Sequence, residues 1–252
     1  MGKAKDIILK PIPAKDAISL VKRVHYSGKV VQNSNIHIGV FYQGRLEGAM
    51  QFGSSLDKRK VQGLVADTGW NEFIELNRMA FTDALPRNSE SRAIGIAMKI
   101  LRQHASHLKW VISFADACQC GDGTIYRASG FVLTGITKNT HLYRLPNGEV
   151  SHVLNYEPGR GIKKAVGSKC ATSGLKTLGA EKVSGYQLRY IYFLDPSCRS
   201  RLTVPEIPFE RIREMGASMY KGHAIAKGEP QANEETVVQF QPDRSTKIQK
   251  QN

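Results

Sequence analysis

What this 252-residue chain has little of narrows its class before any motif is read. It holds four cysteines, too few for a disulfide framework, which points to a reducing compartment, the cytoplasm. No apolar run approaches the roughly 18 residues that a membrane-spanning helix needs. The first residues, Met1 to Asp6, lack the apolar stretch of a secretory leader, so no membrane partner is expected. Acids are scarce too. Asp+Glu number 22 against 36 Lys+Arg, a net charge of +14. Hydrophobic residues still make up 41% and charged residues 23%, so most of the chain should pack a core. An α/β-type protein with a polyanionic partner is the simplest class that survives.

The positive charge is unevenly placed. In residues 225–252 the cations Lys227, Arg244, Lys247 and Lys250 are balanced by Glu229, Glu234, Glu235 and Asp243. That stretch is polar and poor in apolar residues, so it reads as a disordered tail. Between Gly159 and Ser184, Arg160, Lys163, Lys164, Lys169, Lys176 and Lys182 face a single acid, Glu181, with glycines between them. A cationic, glycine-rich loop suits a phosphate backbone, although a solvated surface loop has the same composition. The expected organisation is a core over 1–150, a basic extension over 151–224 packed on it and contacting the polyanion, and a tail over 225–252.

Periodicity supplies the elements. Ala14 to His25 is amphipathic, with Pro11 and Pro13 ahead of it and His25-Tyr26-Ser27-Gly28 closing it. Ile36–Tyr42 and Leu46–Phe52 alternate around Gln43-Gly44-Arg45 as a hairpin. Phe73–Phe81 reads as a strand. Ile94, Ala97, Met98, Leu101 and Ala105 mark the strongest helix. Leu108–Ala115 suits a buried strand. A short helix fits 121–130, strands fit 131–136, 141–145 and 186–194, and a short helix fits 209–219. The order is that of an α/β (α+β) single domain, a mixed central sheet flanked by helices.

The block from Phe73 to Phe131 carries the chemistry. Two strands that part beside a helix start leave unpaired backbone groups and a positive dipole end, where an anionic donor can sit. Within it, Tyr126-Arg127-Ala128-Ser129-Gly130-Phe131 resembles the Y-x-x-x-G-F motif of the GNAT acyltransferase superfamily. More closely, the chain is similar to the Mom family, DNA-modification proteins of phage Mu and its relatives. The cues are His25-Tyr26-Ser27-Gly28, Glu75-Leu76-Asn77-Arg78, Arg87 to Ser91, Ser113-Phe114-Ala115-Asp116 and Gly123-Thr124-Ile125-Tyr126. That resemblance implies a GNAT-like transferase in the host cytoplasm. It would add a carbamoylmethyl (glycinamide-type) group to the exocyclic amine of adenine in double-stranded DNA and protect phage DNA from restriction. GNAT proteins usually carry Q/R-x-x-G-x-G/A where the loop meets the helix. The aligned residues here are Asn88, Ser89, Glu90, Ser91, Arg92 and Ala93, with Ser91 in place of the first glycine and Glu90 adding negative charge. Asn88, Ser89, Ser91, Arg92 and Ala93 are the expected donor-binding residues. The donor itself stays open between glycyl-transfer RNA and an acyl-coenzyme A.

Acylating an aromatic amine needs an activated carbonyl, an oxyanion donor and an acceptor for the amine proton. Tyr126 is expected to donate to the oxyanion or leaving group, Asp116 to accept the proton, and His25 to act as base or to orient one. Asn77 and Ser113 supply neutral hydrogen bonds. The target adenine must be extruded from the duplex, with Tyr26, Trp70, Phe114 and Tyr143 as candidate stacking partners. Bland roles compete: a loop cap for Asp116, a core aromatic for Tyr126, a packed imidazole for His25, a sheet hydrogen bond for Asn77. Cys118-Gln119-Cys120 lacks a structural zinc ligand count. His25 and Asp116 suit iron, but two candidates are not a ligand set, so no metal site is assigned. Rival classes are a coenzyme A-dependent N-acetyltransferase and a non-catalytic DNA-binding protein. Oligomeric state is left open.

Overall fold

The computed structural model describes residues 3–25, 27–117, 121–153, 171–216, 219–220 and 223–224. It is a mixed α/β fold. A seven-stranded sheet holds β1 (Ile8–Pro11), β2 (Ser34–Tyr42), β3 (Arg45–Gly53), β4 (Phe73–Phe81), β5 (Trp110–Asp116), β6 (Val132–Lys138) and a later strand, Tyr186–Phe193. That later strand lies between β5 and β6, so the basic extension and the core share one sheet. β1 has no alternation to betray it. Its prolines read as helix punctuation, yet Ile8 to Pro11 pair with Phe41 to Ile38 at the sheet edge, where a proline costs no ladder bond.

Helices cover both faces. On one face α1 (Ala14–Val24) seats Ala17, Leu20 and Val21 on Ala49 and Ala80. The short α2 (Lys58–Gln62) sends Val61 into a second cluster on that face, with Phe73, Trp110, Ile112 and Ile191. Trp110 is fully buried there, stacked on Phe73 at 4.7 Å, its indole N–H donating to Thr68 Oγ1 at 3.2 Å. On the other face α3 (Ser89–His104) presents Ala93, Ile94, Ala97, Met98 and Leu101 to Met50, Phe52, Ile74, Leu76 and Val111. No helix among the described residues is long and apolar enough to cross a membrane.

One feature of the sheet positions everything that follows. β4 and β5 are its parallel pair, and their ladder has only three rungs: Phe73–Trp110, Ile74–Val111 and Glu75–Ile112. Beyond Glu75, β4 stays with β3 as far as Phe81–Gly48, while β5 stays with the Tyr186–Phe193 strand as far as Asp116–Gln187. Register on β3 jumps from Gln51–Arg78 to Phe52–Leu76, which leaves Asn77 as the extra residue of a bulge. A bulge bends its strand and sharpens its twist. Here it turns β4 away from β5 and opens a gap.

Between β6 and the Tyr186–Phe193 strand the chain makes a side module. β7 (Leu142–Arg144), β8 (Val150–His152), α5 (Ala171–Thr177) and β9 (Glu181–Lys182) form it, β10 being the Tyr186–Phe193 strand itself. β7 is the centre of a three-stranded sheet, and Tyr143, Leu145, Leu175 and Ala180 make a separate small core. Asn139 fastens its root. Its backbone N–H donates to Gly185 O at 2.8 Å, its Nδ2 to Val183 O at 2.7 Å, and its Oδ1 accepts from the Leu142 N–H at 3.1 Å. The cationic segment read as one loop thus contains a helix and a strand. The expected 209–219 helix shrinks to α6 (Glu210–Glu214), because Gly216 adopts φ +66°. Arg160, Lys163, Lys164 and Lys169, like the 225–252 tail, lie outside the described residues.

After β5, α4 (Thr124–Ala128) begins at Gly123, whose φ is +79° and whose Cβ would sit 2.4 Å from the Tyr190 ring. Gly95, inside α3, faces open space. Gly123→Ala is therefore expected to destabilise the fold by about 2–4 kcal/mol, whereas Gly95→Ala should stabilise it by about 0.5–1 kcal/mol. Urea unfolding of the two variants beside the parent checks both signs.

Candidate active site

The gap between β4 and β5 is bridged by one side chain. Ser113 is fully buried on β5, and its Oγ lies 3.2 Å from Leu76 O and 3.0 Å from the Tyr126 hydroxyl. A carbonyl can only accept. The Ser113 proton therefore goes to Leu76 O, and the Tyr126 hydroxyl donates to Ser113 Oγ. Tyr126 is placed by α4 and clamped by aromatic neighbours, stacked on Tyr190 at 5.2 Å and edge-on to Phe131 at 5.4 Å. The start of α4 is held in turn. Asp122 Oδ1 accepts from the Thr124 N–H at 3.1 Å and its Oδ2 lies 3.7 Å from Arg127 Nη2, while Tyr190 donates to Asp122 O at 2.5 Å. Burial pushes the Tyr190 phenol well above its usual range, so it remains a proton donor.

Successive side chains of a strand leave on opposite faces. Ser113 shares the α3 face with Val111 and Ala115, and Phe114 shares the α1 face with Trp110 and Ile112. Asp116, two residues on from Phe114 and still in register with Gln187, therefore leaves β5 on the α1 face. His25 meets it there, at the end of α1, within electrostatic reach. The His25 pKa is lowered to about 4, chiefly by burial, with the Arg78 cation adding to the drop and Asp116 opposing it. Its Nδ1 accepts from the Ser27 N–H at 3.2 Å and sits 2.9 Å from Ser27 Oγ. That network places the proton of the neutral ring on Nε2. His25 is thus a hydrogen-bond donor near neutral pH and a weak base.

Asn77, the bulge residue, is buried, and its Oδ1 accepts from Ser34 Oγ at 3.1 Å. Its carbonyl accepts from Arg78 Nη1 at 2.9 Å, and Arg78 Nε donates to Lys29 O at 3.2 Å. Glu75 occupies the last rung of the β4–β5 ladder. Burial pushes its carboxyl above the usual carboxylate range, and Ser55, Asn77 and Arg78 beside it pull the other way.

The sequence reading placed Asp116 and Tyr126 together. The structure joins Ser113 to Tyr126 on one face of the gap and His25 to Asp116 on the other, with Asn77 at the bulge between them. Glu75 and Arg78 are additions that periodicity alone did not single out. Their signal was a carboxylate and a guanidinium inside the apolar strand Phe-Ile-Glu-Leu-Asn-Arg-Met-Ala-Phe.

On the α3 face the helix start offers a mixed anion site. Asn88 precedes it in a left-handed conformation, φ +69°. Ser89 is fully buried and its hydroxyl has no protein partner. The first-turn amides lack intrahelical acceptors, as at any helix start. These groups, with the exposed Arg92, fit a phosphate. Against them, Ser91 Oγ lies 3.4 Å from Asn88 O, Ala93 is packed in the core, and Glu90 adds a negative charge. Among the described residues no cluster of three or more His, Cys, Asp or Glu could hold a metal ion. Cys118 and Cys120 lie outside those residues.

Tyr26 also lies outside the described residues. Lys176 is exposed in the last turn of α5. Of the other stacking candidates, Tyr143 is ruled out, because it is buried in the core of the side module. Phe114 is partly buried on the α1 face, and Trp70 is half exposed.

The sequence profile of the Mom protein family matches residues 6–211. The methylcarbamoylase mom of Escherichia phage Mu is 35% identical over 201 residues, which cover 79% of this chain and 80% of that protein. Among solved structures, a Bacillus subtilis acetyltransferase in complex with CoA is similar at a TM-score of 0.41 and 9% identity, covering 74% of this chain and 97% of its own. The ribosomal-protein-S18-alanine N-acetyltransferase of Escherichia coli is similar at 0.41 and 12%, covering 75% and 94%.

His25 generates a pH prediction. The unfolded chain binds a proton there near 6.5 and the folded chain only near 4. Acid therefore favours unfolding across that window, and stability falls as pH drops from about 6.5 toward 4. His25→Asn should lose less stability than the parent between pH 7 and pH 5, measured by urea midpoint. NMR titration of the parent ring should show it neutral at pH 5, and a midpoint near 6.5 would refute the buried, neutral imidazole.

Proposed function

The chain belongs to the Mom protein family, and from that membership and the two-faced gap we propose that it converts adenine in double-stranded DNA to its N6-carbamoylmethyl derivative, shielding phage DNA from restriction. The observation that carries the reading is the Tyr126–Ser113–Leu76 O relay, a buried phenol presented as a donor where two strands part. The net charge of +14 supports a duplex as the partner.

In this reading the activated acyl group enters from the α3 face and the extruded adenine from the α1 face. Ser89, the first-turn amides and Arg92 hold the donor's phosphate. The adenine amine is a poor nucleophile, because its lone pair is delocalised into the ring. Asp116 accepts the proton that N6 sheds as it bonds the carbonyl carbon. Tyr126 turns the proton that it gives to Ser113 Oγ toward the oxyanion or the leaving oxygen or sulfur. His25 offers its Nε2 proton to a ring nitrogen, and Asn77 offers an amide at the bulge.

Direct acylation leaves the wrong connectivity, and a glycyl group resolves it. In the first step N6 bonds the glycyl carbonyl and the donor ester or thioester bond breaks. In the second, the free glycyl amine bonds C6 of the purine and the C6–N6 bond breaks. The old N6 leaves as the terminal amide nitrogen and takes the proton that the amine gives up. The product is an isomer of the first adduct, so no oxidant or further reactant is needed.

Plasmid DNA from cells expressing the full chain is expected to contain a modified deoxyadenosine, read by nucleoside mass spectrometry. Isotope-labelled glycine should enter that peak. Tyr126→Phe and Asp116→Asn should each lower its yield by at least about tenfold while the proteins stay folded. Unmodified DNA in cells holding soluble parent protein would overturn the assignment, and unlabelled product would overturn the glycyl route.

A further inference from the structure

The most exposed large apolar side chain among those described is Leu56, at 92%. Single exposed leucines are ordinary, but the place of this one is not. It is the tip of the loop that joins β3 to α2, and the residues on either side of it are fixed. The Asn33 amide donates to Ser54 O. Ser55 is buried, 5% exposed, against the Glu75 carboxyl at the last rung before the gap. Asp57 caps α2, its Oδ1 accepting from the Lys60 N–H at 3.4 Å, and α2 is anchored through Val61. The loop therefore presents Leu56 outward from an anchored base, one residue from Ser55, which sits at the last rung before β4 and β5 part.

Its surroundings are cationic and aromatic. Arg59 and Lys60 are exposed on α2. Lys58 Nζ lies 4.5 Å from the centroid of Trp70, which is 48% exposed. Lys29, also exposed, passes its carbonyl to Arg78 on the same face. An exposed apolar tip that leads, past the capping Asp57, into the exposed cations Arg59 and Lys60 offers two of the features that kinked duplex DNA asks for. Apolar side chains enter between base steps while cations hold the flanking phosphates.

We propose that Leu56 is a wedge that enters the duplex where the target adenine leaves it, with Arg59 and Lys60 holding the phosphates alongside. This rests on the reading of the gap as a site for adenine in DNA. Extrusion empties a place in the base stack, and a side chain that fills it lowers the cost of keeping the base out. The Leu56 side chain touches little of the fold, so removing it tests the wedge and not the core.

The experiment uses the full chain and plasmid DNA, with parent, Leu56→Ala, Leu56→Asp and Leu56→Phe compared. Two quantities are read: modified deoxyadenosine by nucleoside mass spectrometry, and permanganate reactivity of thymines, which rises when a partner adenine is extruded. The parent should show both. Leu56→Ala and Leu56→Asp should lose at least about fivefold in each while binding DNA within about twofold of the parent, since the phosphate contacts remain. Leu56→Phe should restore both readouts. If the parent modifies DNA and the alanine and aspartate variants match it, the wedge is wrong and the site reading stands. If Leu56→Asp instead dissolves a dimer with DNA modification intact, Leu56 serves a contact between copies and the wedge falls. If the parent makes no modified base, the reading of the gap has failed and takes the wedge with it.

Discussion

A parallel ladder that stops after three rungs is the constraint on which the rest of this structure depends. Each of the two strands is held by a different outer neighbour, β4 by β3 and β5 by β10, so neither can follow the other once the Asn77 bulge has changed the course of β4. A sheet that parts in this way would leave buried backbone groups without partners, which is costly. Ser113 meets part of that cost by donating to Leu76 O. The residue that repairs the broken ladder is the same one that fixes the direction of the Tyr126 hydroxyl. Closing the gap would remove the need for Ser113 and, with it, the orientation of the phenol.

The second consequence is electrostatic. The chain is strongly cationic, yet the α1 face of the gap carries a carboxyl pushed upward by burial and an imidazole pushed downward by the same cause. Desolvation disfavours the charged form of either group, whatever its sign. Arg78 acts on both, stabilising the Glu75 carboxylate and discouraging the His25 imidazolium. One guanidinium at the bulge therefore adds to the burial that keeps His25 a neutral donor, and holds Glu75 closer to ionised than burial alone would.

Much of this was legible in the sequence. Phe73–Phe81 was bounded correctly because its apolar run ends in turn residues, and the presence of α3 was legible because its buried residues recur at helical spacing. Tyr126 stood out through the glycine and phenylalanine that follow it. Three things were not legible. β1 has no alternation, being an edge strand exposed on most of its length. The place of β10 depends on a pairing more than seventy positions from β5, which no local pattern encodes. The place of Asn77 and Arg78 beside the gap turns on the bulge in β4, and a bulge leaves no mark in composition. Glu75 escaped for a related reason: a carboxylate in a strand reads as a solvent-facing residue until the loop that buries it is seen.

The side module borders one end of the gap. β10 pairs Gln187 with Asp116 on one side and with Thr137 on the other. The root of the module, where Asn139 ties to Val183 and Gly185, follows directly beyond those residues. It therefore stands at the end of the sheet where Asp116 stands. Leu56 and the cations of α2 belong to the loop that borders Glu75, where β4 and β5 part. Asp116 and Glu75 therefore stand at opposite ends of the gap, the first beside the root of the side module and the second beside the loop that follows β3.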